Sequence, residues 1–322
     1  MANNFAQIGA RLDLLVSRLN FALNNQAVEV ETVYQDIAFV DTTGIGAKGS
    51  EIAQYPIRVL SQRPTKKGDT EVRDDAEPVV WHLTAGSSRI DIFSEYYSVS
   101  ESRDPYGLFK SDAPDALNNA ALFWQELCAD VLNGNPTCYD GTAFFGSHKA
   151  NAAVANTTDF SNDLVDTNLD EAGIVAGFGL LAKVPGPNGQ LANALIKDPV
   201  VLCGTYDQYR RARKIAQEGA LLAKVYGNNA AAAAESTGWG GEFKPIYMPQ
   251  LGQAGGTAAK RWYPINRASA KRRPLIVRVT GKPRFEVDLS EKGKRNAIRV
   301  FAWAEGDVAP GMPHSIVRCT ES

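Results

Sequence analysis

The chain has 322 residues, with 34 lysines and arginines against 36 aspartates and glutamates, and a formal net charge of −2. This length can fold into more than one lobe, and the balanced charge excludes a uniformly basic polyanion-binding protein. Hydrophobic residues make up 44% of the sequence, which is typical of a folded protein. We expect no membrane span, because no window of 18 apolar residues occurs. The N-terminus lacks the basic and apolar stretches of a secretory signal, so we expect synthesis in the cytoplasm.

Cysteines and histidines are few and do not have the spacing of a metal site. The cysteines are at positions 128, 138, 203 and 319, and the histidines at 82, 148 and 314. Because no Cys-x-x-Cys pair occurs and the histidines are scattered, we expect neither a metal ion nor another cofactor. Buried free thiols in a reducing compartment fit this pattern.

The first segment predicts a helix followed by extended structure. Apolar residues recur at nearly helical spacing over residues 8–23, and residues 28–39 are expected to be extended. The helix can be part of the core of a globular lobe or an arm that docks elsewhere. The sequence favours the two interpretations about equally.

Residues 44–78 carry six basic and six acidic side chains. The basic ones cluster around 58–67 and most acidic ones at 69–77, with Pro64 and Gly68 between them. We predict a long β-hairpin that buries little of itself and is completed by a neighbouring molecule. The expected inter-subunit contacts are Arg58, Arg63, Lys66, Lys67, Asp69, Glu71, Asp74 and Asp75. The alternative is a solvated loop of a monomeric enzyme.

The next region predicts a sheet strand and then a long helix. Residues 79–99 are rich in β-branched and aromatic side chains and should return the hairpin to the sheet. Asp112 as an acidic cap and Pro114 in the first turn predict a helix start, and apolar periodicity continues over 113–133. We expect this helix to be anchored to the sheet by Phe123, Trp124 and Leu127.

Residues 138–148, with the sequence Cys-Tyr-Asp-Gly-Thr-Ala-Phe-Phe-Gly-Ser-His, follow this helix after Pro136. Cys138, Asp140 and His148 could supply a nucleophile, a base and an orienting group for an enzyme. No nucleophile elbow, metal-ligand spacing or cofactor fingerprint accompanies them. We therefore expect no catalytic residue here, but a turn at Asp140 with His148 hydrogen-bonded nearby.

The second half of the chain alternates helices and strands. The pattern predicts helices at 169–184 and 206–217, strands at 198–204 and 244–248, and a loop around 228–241. Gly204 and Thr205 join a strand to a helix, as in a phosphate-binding loop. They lack the glycine and lysine spacing of that motif, so we expect a structural turn.

Residues 260–299 hold 13 basic residues against 3 acidic ones, and the preceding part of the chain is net acidic. Such a segment suits contacts between identical copies, and it also suits nucleic-acid binding. Basic residues alternate here with Ile, Val and Phe, and Pro274 and Pro283 interrupt the run. We predict a half-buried strand with a charged outer face.

Several of these segments resemble the major head subunit family of Mu-like tailed bacteriophages, in the same order along the chain. The similarity covers residues 98–109, 138–148, the strand from Pro199 with its following Arg/Ala-rich helix, Trp262-Tyr263-Pro264-Ile265, Arg273-Pro274-Leu275-Ile276 and Lys282-Pro283. The chain departs from the family at 311–316, where the family tends to have aromatic strand residues. Nothing in the sequence marks a lysine for the covalent crosslink known in one branch of this fold.

The resemblance implies an α+β fold of the Hong Kong 97 capsid type. It implies an N-terminal arm at 1–44 and an extended loop at 45–92. It also implies a peripheral domain with a long spine helix at 93–165 and 256–322, and an axial domain at 166–255.

The resemblance further implies a non-enzymatic major capsid protein that assembles into hexamers and pentamers of an icosahedral phage head around double-stranded DNA. The implied partners are a separate scaffolding protein, a portal, a decoration protein and DNA contacted without sequence specificity, and the implied location is the virion. The alternatives are an encapsulin-like compartment shell, a sequence-specific nucleic-acid-binding protein and a soluble enzyme using Asp140 and His148.

Overall fold

The structure is a computed structural model that describes residues 2–24, 32–43, 52–59, 79–98, 105–150, 159–186, 191–193, 196–226, 242–267, 273–288 and 297–322. The helices are α1 (Ala2–Asn24), α2 (Tyr34–Ile37), α3 (Pro105–Gly134), α4 (Glu171–Lys183), α5 (Tyr206–Tyr226) and α6 (Gln250–Gln253). The first strands are β1 (Ala38–Asp41), β2 (Ala53–Val59), β3 (Val79–Ala85), β4 (Ser88–Ser98), β5 (Ser147–Lys149), β6 (Asp159–Ser161) and β7 (Asp163–Leu164). The later strands are β8 (Val200–Cys203), β9 (Lys244–Tyr247), β10 (Arg261–Ile265), β11 (Leu275–Asp288), β12 (Ala297–Pro310) and β13 (Arg318–Thr320).

A four-stranded sheet in the order β1-β11-β12-β4 forms one half of the described structure. Strands β11 and β12 are long and antiparallel, and side chains alternate between the two faces along them. Ile298, Val300 and Ala302 point to one face and pack against α1 and α3. The apolar stripes of these two helices bury the aliphatic side chains on this face.

Helix α3 begins earlier than expected and is 30 residues long, about 45 Å. The predicted start at residue 113 is wrong, and Pro114 lies inside the helix. Asp112 does not act as the helix cap and instead accepts a hydrogen bond from Tyr97 Oη at 3.0 Å. The extra turns form because Phe109 is fully buried against Tyr97, with 5.5 Å between the ring centroids. Packing thus outweighs the usual cost of an internal proline.

Helix α1 is an integral part of this half of the structure. Leu12, Val16 and Leu19 are buried in the same cluster as Phe109 of α3 and Phe285 of β11. Asn20 donates to the Phe285 carbonyl at 3.0 Å and accepts from the Phe285 N–H at 2.8 Å. These two bonds satisfy main-chain groups of β11 beyond the end of β1. In the described structure α1 is therefore a core helix, although its other face leaves Phe21 71% exposed.

A five-stranded sheet in the order β7-β13-β10-β8-β9 forms the other half. All four residues of β8 are buried, as expected for a strand covered on both faces. One face contacts the core around α3, which includes Val200 and Leu202, and the other packs against α4 and α5 through Val201 and Cys203. Strands β8 and β9 and helices α4 and α5 lie at the predicted positions, but α5 continues to Tyr226, past the predicted end at residue 217.

This second sheet combines strands that are far apart in sequence. Strands β10 and β13 lie in the range expected for the peripheral domain, yet they pair in one sheet with β8 and β9 from the range expected for the axial domain. The C-terminal residues form a short 3-10 helix (Pro313–Ser315), a bridge from Ile316 to Ile265 and then β13.

Strand β11 differs from the expected half-buried strand. Its first six residues are all buried, including Arg278 and Thr280. Pro283 lies within the strand, where the register with β12 shifts between Val279 and Arg284. The prediction of a charged outer face here is wrong for residues 275–280, because the base of the β2–β3 hairpin covers that face.

Candidate assembly surfaces

The predicted hairpin is present as two antiparallel strands, β2 and β3, with Val59 paired to Val79. Of the expected contact residues, only the backbone of Arg58 is among the described residues, as part of β2. The other seven, Arg63, Lys66, Lys67, Asp69, Glu71, Asp74 and Asp75, lie in 60–78, outside the described residues. The structure therefore shows where the hairpin begins, and the contacts proposed for its charged part stay a prediction.

The base of the hairpin is held to the sheet by a buried arginine. Arg278 is 5% exposed, and its Nη1 lies 3.3 Å from the carbonyl oxygens of both Ala85 and Gly86. Gly86 N–H in turn donates to Asp307 Oδ2 at 2.8 Å. Hydrogen bonds from a buried guanidinium are among the stronger ones in proteins, so they fix the direction in which the hairpin leaves the sheet. Sequence reasoning missed this role and took Arg278 for an exposed charge.

A second contact at the hairpin base joins β2 to β1. Tyr55 Oη donates to Asp41 Oδ2 at 2.7 Å, and Asp41 Oδ1 accepts from the Thr43 hydroxyl at 2.6 Å. Burial and the hydrogen bond to Asp41 raise the pKa of Tyr55. Burial alone would raise the pKa of Asp41, but the bonds from Thr43 and Tyr55 outweigh it and lower that pKa. The carboxylate is therefore kept charged at this joint.

The three expected spine residues lie on the sheet-facing side of α3. Phe123 and Trp124 are each 4% exposed, and Leu127 is partly buried beside them. The Trp124 ring lies against β12 at Gly306, where an added Cβ would come within 2.6 Å of the ring and 2.1 Å of the Arg278 carbonyl. A side chain at position 306 would force the helix and the sheet apart.

The opposite face of the four-stranded sheet carries arginines stacked on aromatic rings. We call it the arginine–aromatic face, and its members are Arg89, Tyr96, Arg284, Arg299, Phe301 and Trp303. Sequence reasoning missed this surface. The available signal was the alternation of Arg299, Phe301 and Trp303 with aliphatic residues on the helix side, a pattern of period two.

The segment 138–148 forms a compact turn around Asp140. Asp140 Oδ1 accepts from the Thr142 N–H at 3.1 Å and the Thr142 hydroxyl at 2.7 Å. Asp140 Oδ2 lies 2.8 Å from His148 Nδ1, while His148 Nε2 lies 3.0 Å from the Phe144 carbonyl oxygen. Burial works to raise the pKa of Asp140, but the bonds from Thr142 and His148 outweigh it and lower that pKa. The expected hydrogen-bonded turn is thus observed.

The same segment lacks the properties of a catalytic triad. The His148 and Asp140 side chains are 0% and 3% exposed, so they present almost no surface to a substrate. Cys138 Sγ contacts the Gly311 carbonyl oxygen at 3.8 Å, and burial raises the pKa of this thiol to about 12. A thiol that keeps its proton is a poor nucleophile. The hydrogen bonds of Asp140 and His148 instead hold the turn in place.

The other three cysteines, Cys128, Cys203 and Cys319, are also buried and free, and burial raises the pKa of each. Among the residues that the structure describes, no three His, Cys, Asp or Glu side chains are grouped so as to hold a metal ion. No helix in the described part of the chain is long and apolar enough to cross a membrane.

Comparison with solved structures places this fold among phage capsid proteins. The capsid of Ralstonia phage GP4 matches with a TM-score of 0.57 and 12% identity, over 91% of this chain and 92% of that one. The head structure of Helicobacter pylori bacteriophage KHP40 matches with a TM-score of 0.56 and 10% identity, over 92% and 93%. The capsid of cyanophage Pam1 matches with a TM-score of 0.55 and 10% identity, over 91% and 94%.

No protein-family model matches the sequence, and no curated protein matches it. The structural similarity extends over nearly the whole chain, so the chain has the α+β fold of phage capsid proteins, the Hong Kong 97 type, as the sequence motifs predicted. The Mu-like branch is not singled out by these comparisons, and that finer assignment stays a prediction.

Proposed function

We propose that this protein is the major capsid protein of a tailed bacteriophage, a non-enzymatic subunit that assembles into hexamers and pentamers of an icosahedral head. The observation that carries the proposal is the match in fold to capsid proteins over 91–92% of this chain and 92–94% of theirs. Because fold alone does not determine function, features of this chain must support it as well.

The hairpin supports the proposal because polar contacts fix its base to the sheet and its charged stretch suits a neighbouring surface. Arg278 and Asp307 hold the end of β3 at Ala85 and Gly86, and Tyr55 joins β2 to Asp41. A two-stranded hairpin is marginal in water unless further strands or a packed surface complete it. A neighbouring subunit would supply that surface through the charged residues 58–77.

The partners follow from the same proposal. A closed head encloses double-stranded DNA, so the inner surface of the shell contacts it without sequence specificity. A separate scaffolding protein, a portal and a decoration protein are the further partners, and the protein made in the host cytoplasm ends in the virion.

The domain division is also part of the proposal. We assign residues 1–44 to an N-terminal arm, 45–92 to the extended loop, 93–165 with 256–322 to the peripheral domain, and 166–255 to the axial domain. The four-stranded sheet with α3 would form the core of the peripheral domain. The five-stranded sheet with α4 and α5 would form the core of the axial domain. Strands β10 and β13 extend the axial sheet from within the peripheral range.

The proposal is tested by reversing the charge of the acidic part of the hairpin. Replacing Asp69, Glu71, Asp74 and Asp75 together with Lys should leave the subunit folded and block shell formation. Circular dichroism reports the fold, and sedimentation with negative-stain electron microscopy reports the shells. Each exposed pair contributes only about 0–1 kcal/mol, but the effect is repeated at every copy in a shell.

A matched control separates contact chemistry from net charge. Replacing Asp13, Asp115, Asp159 and Glu242 with Lys makes the same change in net charge at four exposed positions, and this variant should still assemble. Normal shells from the hairpin variant would mean that the hairpin is a solvated loop. A parent protein that forms no particles at any concentration would contradict the capsid proposal itself.

A further inference from the structure

Asp198 has an unusual backbone conformation immediately before a proline. It lies between α4 and β8 and has a φ of 48°, in the left-handed region that residues other than glycine rarely occupy. The following Pro199 normally forces the residue before it into an extended conformation. Asp198 departs from both preferences. Such conformations persist where surrounding contacts impose them, and they are concentrated at functional sites.

Contacts on both sides hold Asp198 in this conformation. The Lys197 N–H donates to Asn266 Oδ1 at 3.1 Å, and Asn266 is only 4% exposed. The Pro199 carbonyl oxygen accepts from the Lys244 N–H at 3.0 Å, which continues the pairing of β8 with β9. Because both neighbouring residues are fixed by hydrogen bonds, neither can move freely to relieve the strain at Asp198.

A guanidinium group lies on the main-chain carbonyl of the strained residue. Arg267 Nε donates to the Asp198 carbonyl oxygen at 3.0 Å, and the same side chain is held by an ion pair with Asp36. A cationic donor at this oxygen polarises the carbonyl and stabilises negative charge that develops there. The Asp198 residue is exposed, and its own carboxylate reaches the carbonyl carbon by closing a five-membered ring. A nucleophile on the same residue needs no second molecule to be brought into position.

We propose that the Asp198–Pro199 peptide bond is a self-cleavage site, with the Asp198 carboxylate as the nucleophile and Arg267 as the donor to the oxyanion. One carboxylate oxygen bonds to the Asp198 carbonyl carbon, and the carbonyl oxygen takes the negative charge beside Arg267. The carbon–nitrogen bond then breaks as the Pro199 nitrogen takes a proton from the solvent. This step leaves a cyclic anhydride at Asp198 and a free amine at Pro199. Water hydrolyses the anhydride to two carboxyl groups, so the net reaction consumes one water molecule.

Another position with the same backbone geometry lacks the nucleophile. Asn135 has a φ of 49° and precedes Pro136. Its side-chain amide donates to the Phe145 carbonyl at 3.2 Å and accepts from the Phe145 N–H at 2.6 Å. A neutral amide that is engaged in two hydrogen bonds is a poor nucleophile, so the bond after Asn135 should stay intact.

Cleavage after Asp198 would leave the two fragments associated. Strand β8 begins directly after Pro199, pairs with β10 on one side and β9 on the other, and has all four residues buried. Core contacts between β8 and α3 also join the two fragments. The reaction would therefore remove the covalent link between α4 and β8 without unfolding the protein. This inference concerns the single subunit and does not rest on the proposed function.

The first test uses a second aspartate–proline bond as an internal reference. Asp104–Pro105 is also preceded by a basic residue. The protein is incubated folded and in denaturant, from neutral pH down to the ordinary pKa of aspartate, and mass spectrometry measures the fragments. Circular dichroism establishes the pH range in which the protein stays folded.

In denaturant the two aspartate–proline bonds should break at similar rates. In the folded protein, the bond after Asp198 should break about tenfold or more faster than it does in denaturant, and the bond after Asn135 should not break. Folding ordinarily protects peptide bonds. An equal or slower rate after Asp198 in the folded protein would overturn the proposal.

The second test separates the two roles by substitution. D198N removes the carboxylate and keeps a residue that tolerates the left-handed conformation, so cleavage at this bond should stop. R267Q should lower the rate in the folded protein about tenfold or more. K244Q is the matched control, because it makes the same change in charge and its ammonium group pairs with Asp36 at 3.0 Å in the same cluster. It should cleave at the parental rate.

Each remaining outcome also decides the proposal. Cleavage of D198N at the parental rate would identify a contaminating protease and overturn self-cleavage. Equal rates for R267Q and K244Q, with both variants folded by circular dichroism, would overturn the role of Arg267. If R267Q does not fold, D198N and the comparison of folded with denatured protein decide the result.

Discussion

The two faces of the four-stranded sheet differ although they share the same strands. On the helix side Ile298, Val300 and Ala302 are buried against α1 and α3. On the other side Phe301 and Trp303, one residue out of phase, are covered by arginine side chains. One face is thus covered by apolar side chains of the two helices, and the other carries arginine guanidinium groups stacked on aromatic rings. The difference shows that one set of side chains along β12 packs against helices, whereas the other set stacks with arginines.

The Trp124→Ala substitution tests the closed face and should have the largest effect. Removing a ring that is 4% exposed leaves a cavity between α3 and β12, and we expect a loss of about 3–5 kcal/mol in the free energy of unfolding. Chemical denaturation of the free subunit measures it. Val175→Ala in α4, at a site 55% exposed, is the control and should change stability by less than about 0.5 kcal/mol. Equal values for both variants would mean that α3 does not depend on this contact.

The Asp140→Asn substitution tests whether polar contacts help to stabilise the helix side of the four-stranded sheet. The turn around Asp140 lies on that side, because Phe144 and Phe145 share a core cluster with Trp124. Asn cannot act as a charged acceptor for His148, so we expect a loss of about 1–3 kcal/mol at neutral pH.

The pH dependence of this loss has a definite sign. The pKa of Asp140 is lowered in the folded state, so its contribution is fully present above the unfolded pKa of about 3.9 and is lost as the pH falls through the lower folded value. The difference between the parent protein and Asp140→Asn should therefore shrink only in strong acid, as measured by denaturation across pH. Asp166→Asn, at an exposed position, is the control. A difference independent of pH down to 2 would contradict the charged-carboxylate account.

The Arg299→Gln substitution tests the open face and should have the smallest effect on the free subunit. A cation–π contact at an exposed site contributes about 0.5–1 kcal/mol, and Arg299 stacks on Phe301 at 4.9 Å. Denaturation of the unassembled subunit measures the change. A loss as large as that of Trp124→Ala would mean that the face belongs to the subunit's own core, and the contrast between the two faces would disappear.

Much of the element order was predictable because local patterns are strong. The helix over 8–23, the strand near 200 and the helix from 206 follow from apolar periodicity and from a continuous apolar run. The turn at Asp140 follows from Asp-Gly and the nearby histidine. The order of family-like segments also predicted the capsid fold, which the structural similarity confirms.

Other features depend on contacts between residues distant in sequence. Asp112 and Pro114 are local signals for a helix start, yet burial of Phe109 against Tyr97 extends α3 back to Pro105. Arg278 has the spacing of an exposed strand charge, yet the hairpin base covers it. A residue's burial depends on what packs over it, and a sequence pattern does not contain that partner.

The sequence by itself determined the types of the main elements, their order and the fold family, because helix and strand periodicities and turn residues act over a few positions. Only the tertiary structure decided which face of the four-stranded sheet is closed and which carries the arginine–aromatic stack. Alternation along β12 separates two sets of side chains, but their burial depends on where α1 and α3 pack. That placement arises from long-range contacts such as Trp124 on Gly306.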